Sequence, residues 1–156
     1  MLYFAYGSNL SPQQTRRRCP GAQAVGRAVL QDWRLILTTR GTANIVRAPG
    51  RQVHGGLWRF EPHHLTIMDQ WEGVSRRANR RAWLRAQRSD GTACTIVTYL
   101  GARTHAGTGK PHYILGKMLP GAECFELPAH YHDEIRSWLP RHLIGASQQY
   151  LGRRWR

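Results

Sequence analysis

Lysine and acidic residues are scarce in this sequence, and that scarcity sets its charge. Lysine occurs only at Lys110 and Lys117, and 9 Asp and Glu stand against 23 Lys and Arg, giving a formal net charge of +14. Such a balance is typical of a nucleic-acid binder, although an arginine-rich composition also follows from a GC-rich coding background. The arginines cluster at Arg16–Arg18, Arg76–Arg77, Arg80–Arg81 and Arg153–Arg154. A polyanion partner and a set of solvated basic faces both stay open.

Cysteine and long apolar runs are also lacking. Cys19, Cys94 and Cys124 are odd in number and scattered, which excludes a disulfide framework and favours reduced thiols of the cytoplasm. No stretch approaches the roughly 18 apolar residues of a membrane helix, and no basic segment followed by an apolar one opens the chain. We therefore expect a soluble, cytoplasmic protein.

Repeats, low-complexity tracts and long linkers are absent as well. The 156 residues are near the commonest size of one domain and can bury a sizeable core. We predict a single domain over residues 1–156, in which residues 140–156 form a basic C-terminal extension.

Strand signals outnumber helix signals along the chain. Branched and aromatic residues predict strands at Leu2–Ala5, Trp33–Thr39 and Val53–Phe60, and a turn at Ser89–Gly91 predicts a hairpin of residues 82–87 and 92–100. The glycine pair at Gly55 and Gly56 indicates a bulge or a close backbone approach. Helices are predicted to begin at Ser11, Pro62 and near Pro128, with a shorter one over residues 113–118. This order favours an α+β fold with a mixed sheet or barrel and helices packed on it.

The opening stretch "YFAYGSNL" runs from a strand into a tight loop and then a helix. Ser11 is predicted to cap that helix, with Pro12 at its first position and Gln14 closing a capping box. The geometry can leave the backbone N–H groups of Gly7, Ser8 and Asn9 free to bind an anion or a developing oxyanion. Gly7 would supply a positive φ or room beside a ligand. An ordinary strand-to-helix turn without a ligand is the alternative.

One carboxylate lies where an apolar side chain is expected. In "EPHHLTIMDQWEGV", Leu65, Met68 and Glu72 follow one face of a predicted helix. Burial there would raise the pKa of Glu72 towards the range of a general acid/base. The alternative is that Glu72 turns into solvent or pairs with Arg76 or Arg77.

Taken in order, "YFAYGSNL", "CPGA", "HGGLWRF", "DQWEGV" and "PHYILGKMLPGAECFELPAHY" resemble the gamma-glutamylcyclotransferase-like family. The resemblance implies a small mixed β-barrel flanked by helices and release of 5-oxoproline from a small γ-glutamyl compound without metal or cofactor. Carried over by position, it implies Glu72 as the catalytic residue. The implied substrate-binding residues are Tyr6, Gly7, Ser8, Asn9, Leu10 and Tyr113.

This chain departs from the family at one place in that pattern. Relatives usually carry a tyrosine a few residues after "EGV", where this chain has Asn79. The missing tyrosine would contribute to the substrate pocket, so substrate positioning or the leaving group is expected to differ. The competing hypothesis is a basic binding module for nucleic acid that keeps the fold and has lost the chemistry. The sequence contains no zinc-finger, helix-turn-helix or RNA-recognition pattern in its favour.

Other candidate residues are predicted to be structural. His130 and His132 would diverge on a helix rather than hold a metal, and His63 and His64 are predicted to be surface residues. Cys94 has no basic partner that would make it a nucleophile. Ser8 lacks the second glycine of a nucleophile elbow and is predicted to bind substrate only.

Overall fold

A computed structural model describes residues 1–145, and five strands in it close into a barrel in the order β1-β3-β2-β4-β5. The strands are β1 Leu2–Ala5, β2 Gln23–Leu37, β3 Ala43–Arg59, β4 Asn79–Arg88 and β5 Ala93–Gly101. β1 is antiparallel to β3 and parallel to β5, which closes the barrel. Parallel and antiparallel pairs thus occur together, and the predicted α+β barrel flanked by helices is confirmed.

The β2–β3 hairpin is longer than the sequence signals indicated. The predicted strands Trp33–Thr39 and Val53–Phe60 form only parts of it, because both strands continue past register shifts at Ala24/Gly26 and Gln31/Trp33. At one shift Asp32 adopts φ 64 and its carboxylate accepts a hydrogen bond of 2.9 Å from Gly50 N–H. The residues on both sides of this shift pair as strands, whereas the register skips Asp32 and residues 48–51.

Gly55 and Gly56 of β3 mark a close backbone approach, which was one of the two predicted alternatives. A Cβ on Gly55 would lie 2.5 Å from the carbonyl oxygen of Ala5, and a Cβ on Gly56 would lie 2.6 Å from the ring of Phe125. β3 therefore contacts β1 on one side and a helical segment on the other. Phe4, Trp58 and Ile96 are fully buried in the core.

Helical segments cover the barrel. They are α1 Pro12–Arg18, α2 Pro62–Trp71, α3 Pro111–Tyr113, α4 Leu119–Cys124, α5 Ala129–Ser137 and α6 Arg141–Ile144. A 3-10 turn at Ser8–Leu10 precedes α1, and a π-helical turn at Ile114–Met118 joins α3 to α4. The predicted helix starts at Ser11, Pro62 and Pro128 are confirmed. Most of the predicted extension over residues 140–156 lies outside the described residues.

Within residues 1–145 no helix is long and apolar enough to cross a membrane. All three cysteines, which lie in this range, are free thiols.

Candidate active site

Gly7 makes room for a tyrosine hydroxyl at the end of β1. Its φ is −116, so the alternative of a positive φ is wrong. A Cβ at this position would lie 2.8 Å from the hydroxyl oxygen of Tyr113 and 3.0 Å from Cβ of Ala43, closer than side chains tolerate. Glycine is therefore required for close packing of the loop against the segment that carries Tyr113.

The Tyr113 hydroxyl accepts two backbone hydrogen bonds, 3.0 Å from Ser8 N–H and 3.2 Å from Ala43 N–H. The predicted free amide of Ser8 is thus already paired within the protein. A hydroxyl that accepts two N–H groups keeps its own proton to donate. Burial raises the pKa of Tyr113, and these backbone hydrogen bonds oppose the rise, so the group stays protonated at neutral pH and can donate to a substrate oxygen.

The start of α1 differs in one respect from the expected capping box. Ser11 Oγ accepts from Gln14 N–H at 3.4 Å and Pro12 opens the helix, as predicted. The Gln14 side chain does not return to the Ser11 amide, which instead donates to the Ser8 carbonyl. Gln14 Nε2 donates to Ser8 Oγ at 2.7 Å and to Asn9 Oδ1 at 3.1 Å. The side-chain amide of Gln14 is therefore bound to the loop residues Ser8 and Asn9, and it holds the loop in position.

Glu72 follows the last residue of α2, and its carboxylate turns towards the loop rather than into solvent. Asn9 Nδ2 donates to Oε1 at 3.1 Å and Asn79 Nδ2 donates to Oε2 at 2.8 Å. Asn79 also donates to the backbone carbonyl of Glu72 at 2.9 Å. Within the described residues, neither Arg76 nor Arg77 forms an ion pair with this carboxylate. The alternative of a solvent-facing or paired Glu72 is therefore excluded.

Burial raises the pKa of Glu72 above its ordinary value, because the charged form loses hydration. The positive charge of Arg18 and the hydrogen bonds from Asn9 and Asn79 oppose the rise without cancelling it. A carboxyl group whose pKa is raised holds a proton more readily than an ordinary surface carboxylate, which suits a group that both accepts and returns a proton.

Asn9 connects the loop, the barrel and Glu72. Its side chain is 5% exposed, and Nδ2 donates to Tyr3 as well as to Glu72, at 2.8 Å to the Tyr3 hydroxyl. Its Oδ1 accepts from Arg18 at 2.9 Å, and its carbonyl accepts from the Trp58 indole at 3.2 Å. These bonds fix the amide orientation, so Asn9 presents a donor to the carboxylate.

A cavity of about 320 Å³, here called the inner cavity, brings the predicted residues together. Tyr6, Gly7, Ser8, Asn9, Glu72 and Tyr113 all line it. Leu10 does not line it and departs from the expectation. The 3-10 turn directs Leu10 into the core, where it is fully buried against α4.

Sequence reasoning missed several residues that line the inner cavity. They are Tyr3, Gln14, Arg18, Thr42, Ala43, Trp71, Tyr99 and Lys117. The sequence contained a signal for Gln14 and Arg18. They are four residues apart and therefore lie on one face of α1, the helix that directly follows the loop of the site. Tyr99 and Lys117 reach the cavity from distant segments, which no local pattern indicates.

The histidines differ partly from their predicted roles. His64, expected at the surface, is 1% exposed, with Nδ1 accepting from Glu61 N–H at 3.1 Å and Nε2 lying 2.9 Å from the Pro20 carbonyl oxygen. Its position at the third residue of α2 lets it close a capping box with Glu61. His130 and His132 lie on α5, as expected. In the part of the chain the structure describes, no group of three His, Cys, Asp or Glu residues could hold a metal ion.

The class of protein is defined by a closed five-stranded barrel covered by helices, with a cavity lined by a Gly-Ser-Asn loop and a half-buried carboxylate that this loop hydrogen-bonds. Residues 3–117 match the sequence model described as "Gamma-glutamyl cyclotransferase, AIG2-like", so the chain belongs to this family.

Individual relatives agree with the family. The chain is 29% identical over 154 residues to a Mus musculus protein named Gamma-glutamylcyclotransferase, covering 92% of this chain and 81% of the relative. The Homo sapiens protein of that name is 28% identical over 155 residues, with the same coverage. A solved structure titled Gamma-glutamyl cyclotransferase has a TM-score of 0.83 at 24% identity and covers 96% of this chain and 98% of its own. This structural match supports the fold.

Proposed function

We propose that this chain is a γ-glutamylcyclotransferase-type enzyme that releases 5-oxoproline from a γ-glutamyl amino acid or amine, with Glu72 as general acid/base. The observation that carries the proposal is the half-buried Glu72 carboxylate, whose pKa is raised by burial and which lines the inner cavity together with the Gly7–Asn9 loop that hydrogen-bonds it. Membership of the family and the relatives named Gamma-glutamylcyclotransferase support the reaction class.

In this reaction the nucleophile belongs to the substrate. The α-amine of the γ-glutamyl group attacks its own γ-carbonyl carbon, which closes a five-membered ring with a large proximity advantage. The new C–N bond forms as the carbonyl oxygen becomes an oxyanion. Collapse of that intermediate breaks the original amide bond and gives 5-oxoproline and a free amine.

Glu72 carries both proton steps. Its carboxylate takes a proton from the attacking nitrogen and then delivers it to the nitrogen of the leaving amine, so no proton is gained or lost overall. Asn9 and Asn79 hold the two carboxylate oxygens in place through their side-chain amides. This orientation leaves one group able to act first as base and then as acid.

The Tyr113 hydroxyl is the donor we assign to the oxyanion. It lines the inner cavity and accepts from Ser8 and Ala43, so its own proton is directed elsewhere. A pre-oriented donor of this kind stabilises charge that develops in the transition state. The remaining loop groups, Tyr6 and Gly7 among them, would bind the γ-glutamyl portion. The free cysteines favour a cytoplasmic location.

The test is 5-oxoproline release from γ-glutamyl dipeptides, γ-glutamylamines and glutathione. We expect release by the wild type and a loss of about 10²–10⁴-fold in Glu72→Gln, the contribution usual for one general acid/base. Glu123→Gln is the matched control, because this glutamate is exposed on α4. Release that survives in Glu72→Gln would remove Glu72 from the reaction, and no release from any compound would overturn the function.

A basic cleft favours polyanion binding as a second candidate function. The cleft has a volume of about 540 Å³ and its lining includes Arg40, Arg76, Arg77 and Arg103; it is here called the arginine cleft. It adjoins the inner cavity and shares Thr42, Ala43 and Asn79 with it.

A further inference from the structure

A second cavity of about 340 Å³, here called the outer cavity, continues from the inner one. The two share four lining residues, Gln14, Arg18, Trp71 and Lys117. The remainder of the outer lining is Ser11, Gln13, Arg17 and Gly116. A molecule whose γ-glutamyl end lies against Glu72 can therefore extend its other end past Arg18 and Lys117 into the outer cavity.

The lining of the outer cavity is positive and contains no acidic residue. Arg17, Arg18 and Lys117 contribute three cations, and no Asp or Glu is among the residues that form its wall. Partial burial lowers the pKa of Lys117, and the charges of Arg18 and Arg17 lower it further. The three cations thus repel one another, and an anion between them would relieve that repulsion.

Two of these cations are already fixed in position. Arg18 donates to Asn9 Oδ1 at 2.9 Å and stacks over the ring of Trp71 at 4.6 Å. Lys117 Nζ donates to Gln14 Oε1. Trp71 is itself 55% exposed and forms an open wall beside them. Side chains that are ordered before a ligand arrives lose less entropy when they bind it.

The arginine side chains of the arginine cleft are not held in position in this way. The structure gives none of the Arg40, Arg76, Arg77 or Arg103 guanidinium groups a hydrogen bond or ion pair within residues 1–145, whereas Arg18 and Lys117 are both anchored. Of the two basic regions beside the inner cavity, the outer cavity is the better built to hold a small anion in one orientation.

We propose that the outer cavity is the leaving-group subsite and that it takes an amine bearing two carboxylates, so that the preferred substrates are γ-glutamyl derivatives of acidic amino acids. The inference rests on the proposed function. Lys117 and Arg18, nearest the inner cavity, would bind the α-carboxylate beside the reacting amide, and Arg17 at the outer wall would bind the side-chain carboxylate.

The test compares leaving groups of one shape and different charge. γ-Glutamyl-glutamate, γ-glutamyl-glutamine and γ-glutamyl-glutaminamide have leaving portions with two, one and no carboxylates. We expect kcat/KM for 5-oxoproline release to fall about tenfold at each step, the size of one charge-assisted contact. Equal values for the three substrates would overturn the subsite while leaving the proposed function intact.

Two variants test whether Arg17 is responsible for the preference for a second carboxylate. Arg17→Gln, at an exposed position of α1 where glutamine is a good helix former, is expected to lower the ratio of γ-glutamyl-glutamate to γ-glutamyl-glutamine to near unity. Arg103→Gln in the arginine cleft is the matched control and should keep the ratio. If Arg103→Gln loses the preference for γ-glutamyl-glutamate and Arg17→Gln keeps it, the proposal is overturned in favour of the arginine cleft.

A binding measurement keeps the two proposals separate. If no compound releases 5-oxoproline, the proposed function fails, and calorimetric titration of the same dipeptides into the same proteins still tests the subsite. Tighter binding of γ-glutamyl-glutamate than γ-glutamyl-glutamine, lost in Arg17→Gln, would support it. Equal binding of both, or binding of neither, would overturn it.

Discussion

At the scale of single residues, two asparagines hold one carboxylate from opposite sides. Asn9 donates to Oε1 of Glu72 and Asn79 to Oε2, at 3.1 Å and 2.8 Å. Each bond favours the charged form and lowers the pKa of Glu72, whereas burial, the largest effect, raises it. The raised pKa is a balance of these opposing effects, so removal of one donor must move it.

Replacing Asn79 tests this balance. Asn79→Ala removes a donor to the charged form, so the pKa of Glu72 rises and the acidic limb of the pH profile of kcat/KM moves to higher pH. Asn79→Asp places a second carboxylate beside the first and should move the limb further in the same direction. Arg80→Ala, exposed at the next position of β4, is the control. An unmoved limb in both Asn79 variants would mean that another group titrates.

The raised pKa of Glu72 also determines how the free energy of unfolding changes with pH. A carboxyl whose pKa is higher in the folded than in the unfolded state binds its proton more tightly when folded. Its contribution to the free energy of unfolding is therefore most favourable below the ordinary pKa of 4.5 and declines as pH rises through the raised pKa of the folded state. Urea unfolding across this window should show a larger decline in Asn79→Ala than in the wild type.

At the scale of elements, the site depends on how α4 meets the loop before α1. A Cβ on Gly121 would lie 2.4 Å from the carbonyl carbon of Leu10 and 2.5 Å from its oxygen. The contact is backbone against backbone, which cannot yield as a flexible side chain can. The "PGAE" segment of α4 thus sets the position of the 3-10 turn that carries Ser8 and Asn9.

Two glycines on neighbouring helical turns provide a matched test. Gly121→Ala should lower the free energy of unfolding by about 1–3 kcal/mol, the usual cost of overpacking, and lower activity because the loop shifts. Gly116→Ala is the control, since within residues 1–145 no atom beyond its own helical turn and chain neighbours lies within 4 Å of its Cβ position. Alanine there should be neutral or slightly stabilising. Equal stability of the two variants by urea unfolding would show that α4 and the loop move apart at no cost to accommodate the added methyl group.

The elements also show what the sequence could predict. β1 was predicted at its observed bounds and the β4–β5 hairpin within about three residues at each end, since both have local signals of alternation or turn chemistry. The first half of β2 was missed because its residues are largely exposed and only pairing with β3 makes them a strand. Glu72 and the loop were found from local patterns. The position of Asn79 was singled out from the sequence, but its hydrogen bonds to Glu72 were not. These bonds, the place of Lys117 in the cavity and the bond between Ser8 and Tyr113, which spans 105 positions, depend on tertiary contacts.

At the scale of the whole molecule, charge is the dominant property. The 9 acidic residues cannot neutralise 23 basic ones, and the ion pairs among residues 1–145 are Arg27–Glu126, Arg51–Glu134, Arg81–Asp69 and Arg136–Asp133. Such a molecule attracts polyanions through its overall field, without a built site. Nucleic-acid binding at low salt is therefore expected under both candidate functions and does not distinguish them.

Salt dependence does distinguish them. We expect a labelled DNA duplex to bind at about 20 mM NaCl and to be released by about 150 mM, because non-specific binding is driven by counterion release. Release of 5-oxoproline from γ-glutamyl-glutaminamide, whose leaving portion is uncharged, should change little over the same range. Excess duplex should also leave this rate unchanged at about 150 mM NaCl, where the field is screened within about 8 Å. Duplex binding that persists at that salt concentration and weakens in Arg103→Gln would instead identify the arginine cleft as a polyanion site, and the basic surface would then have a function of its own.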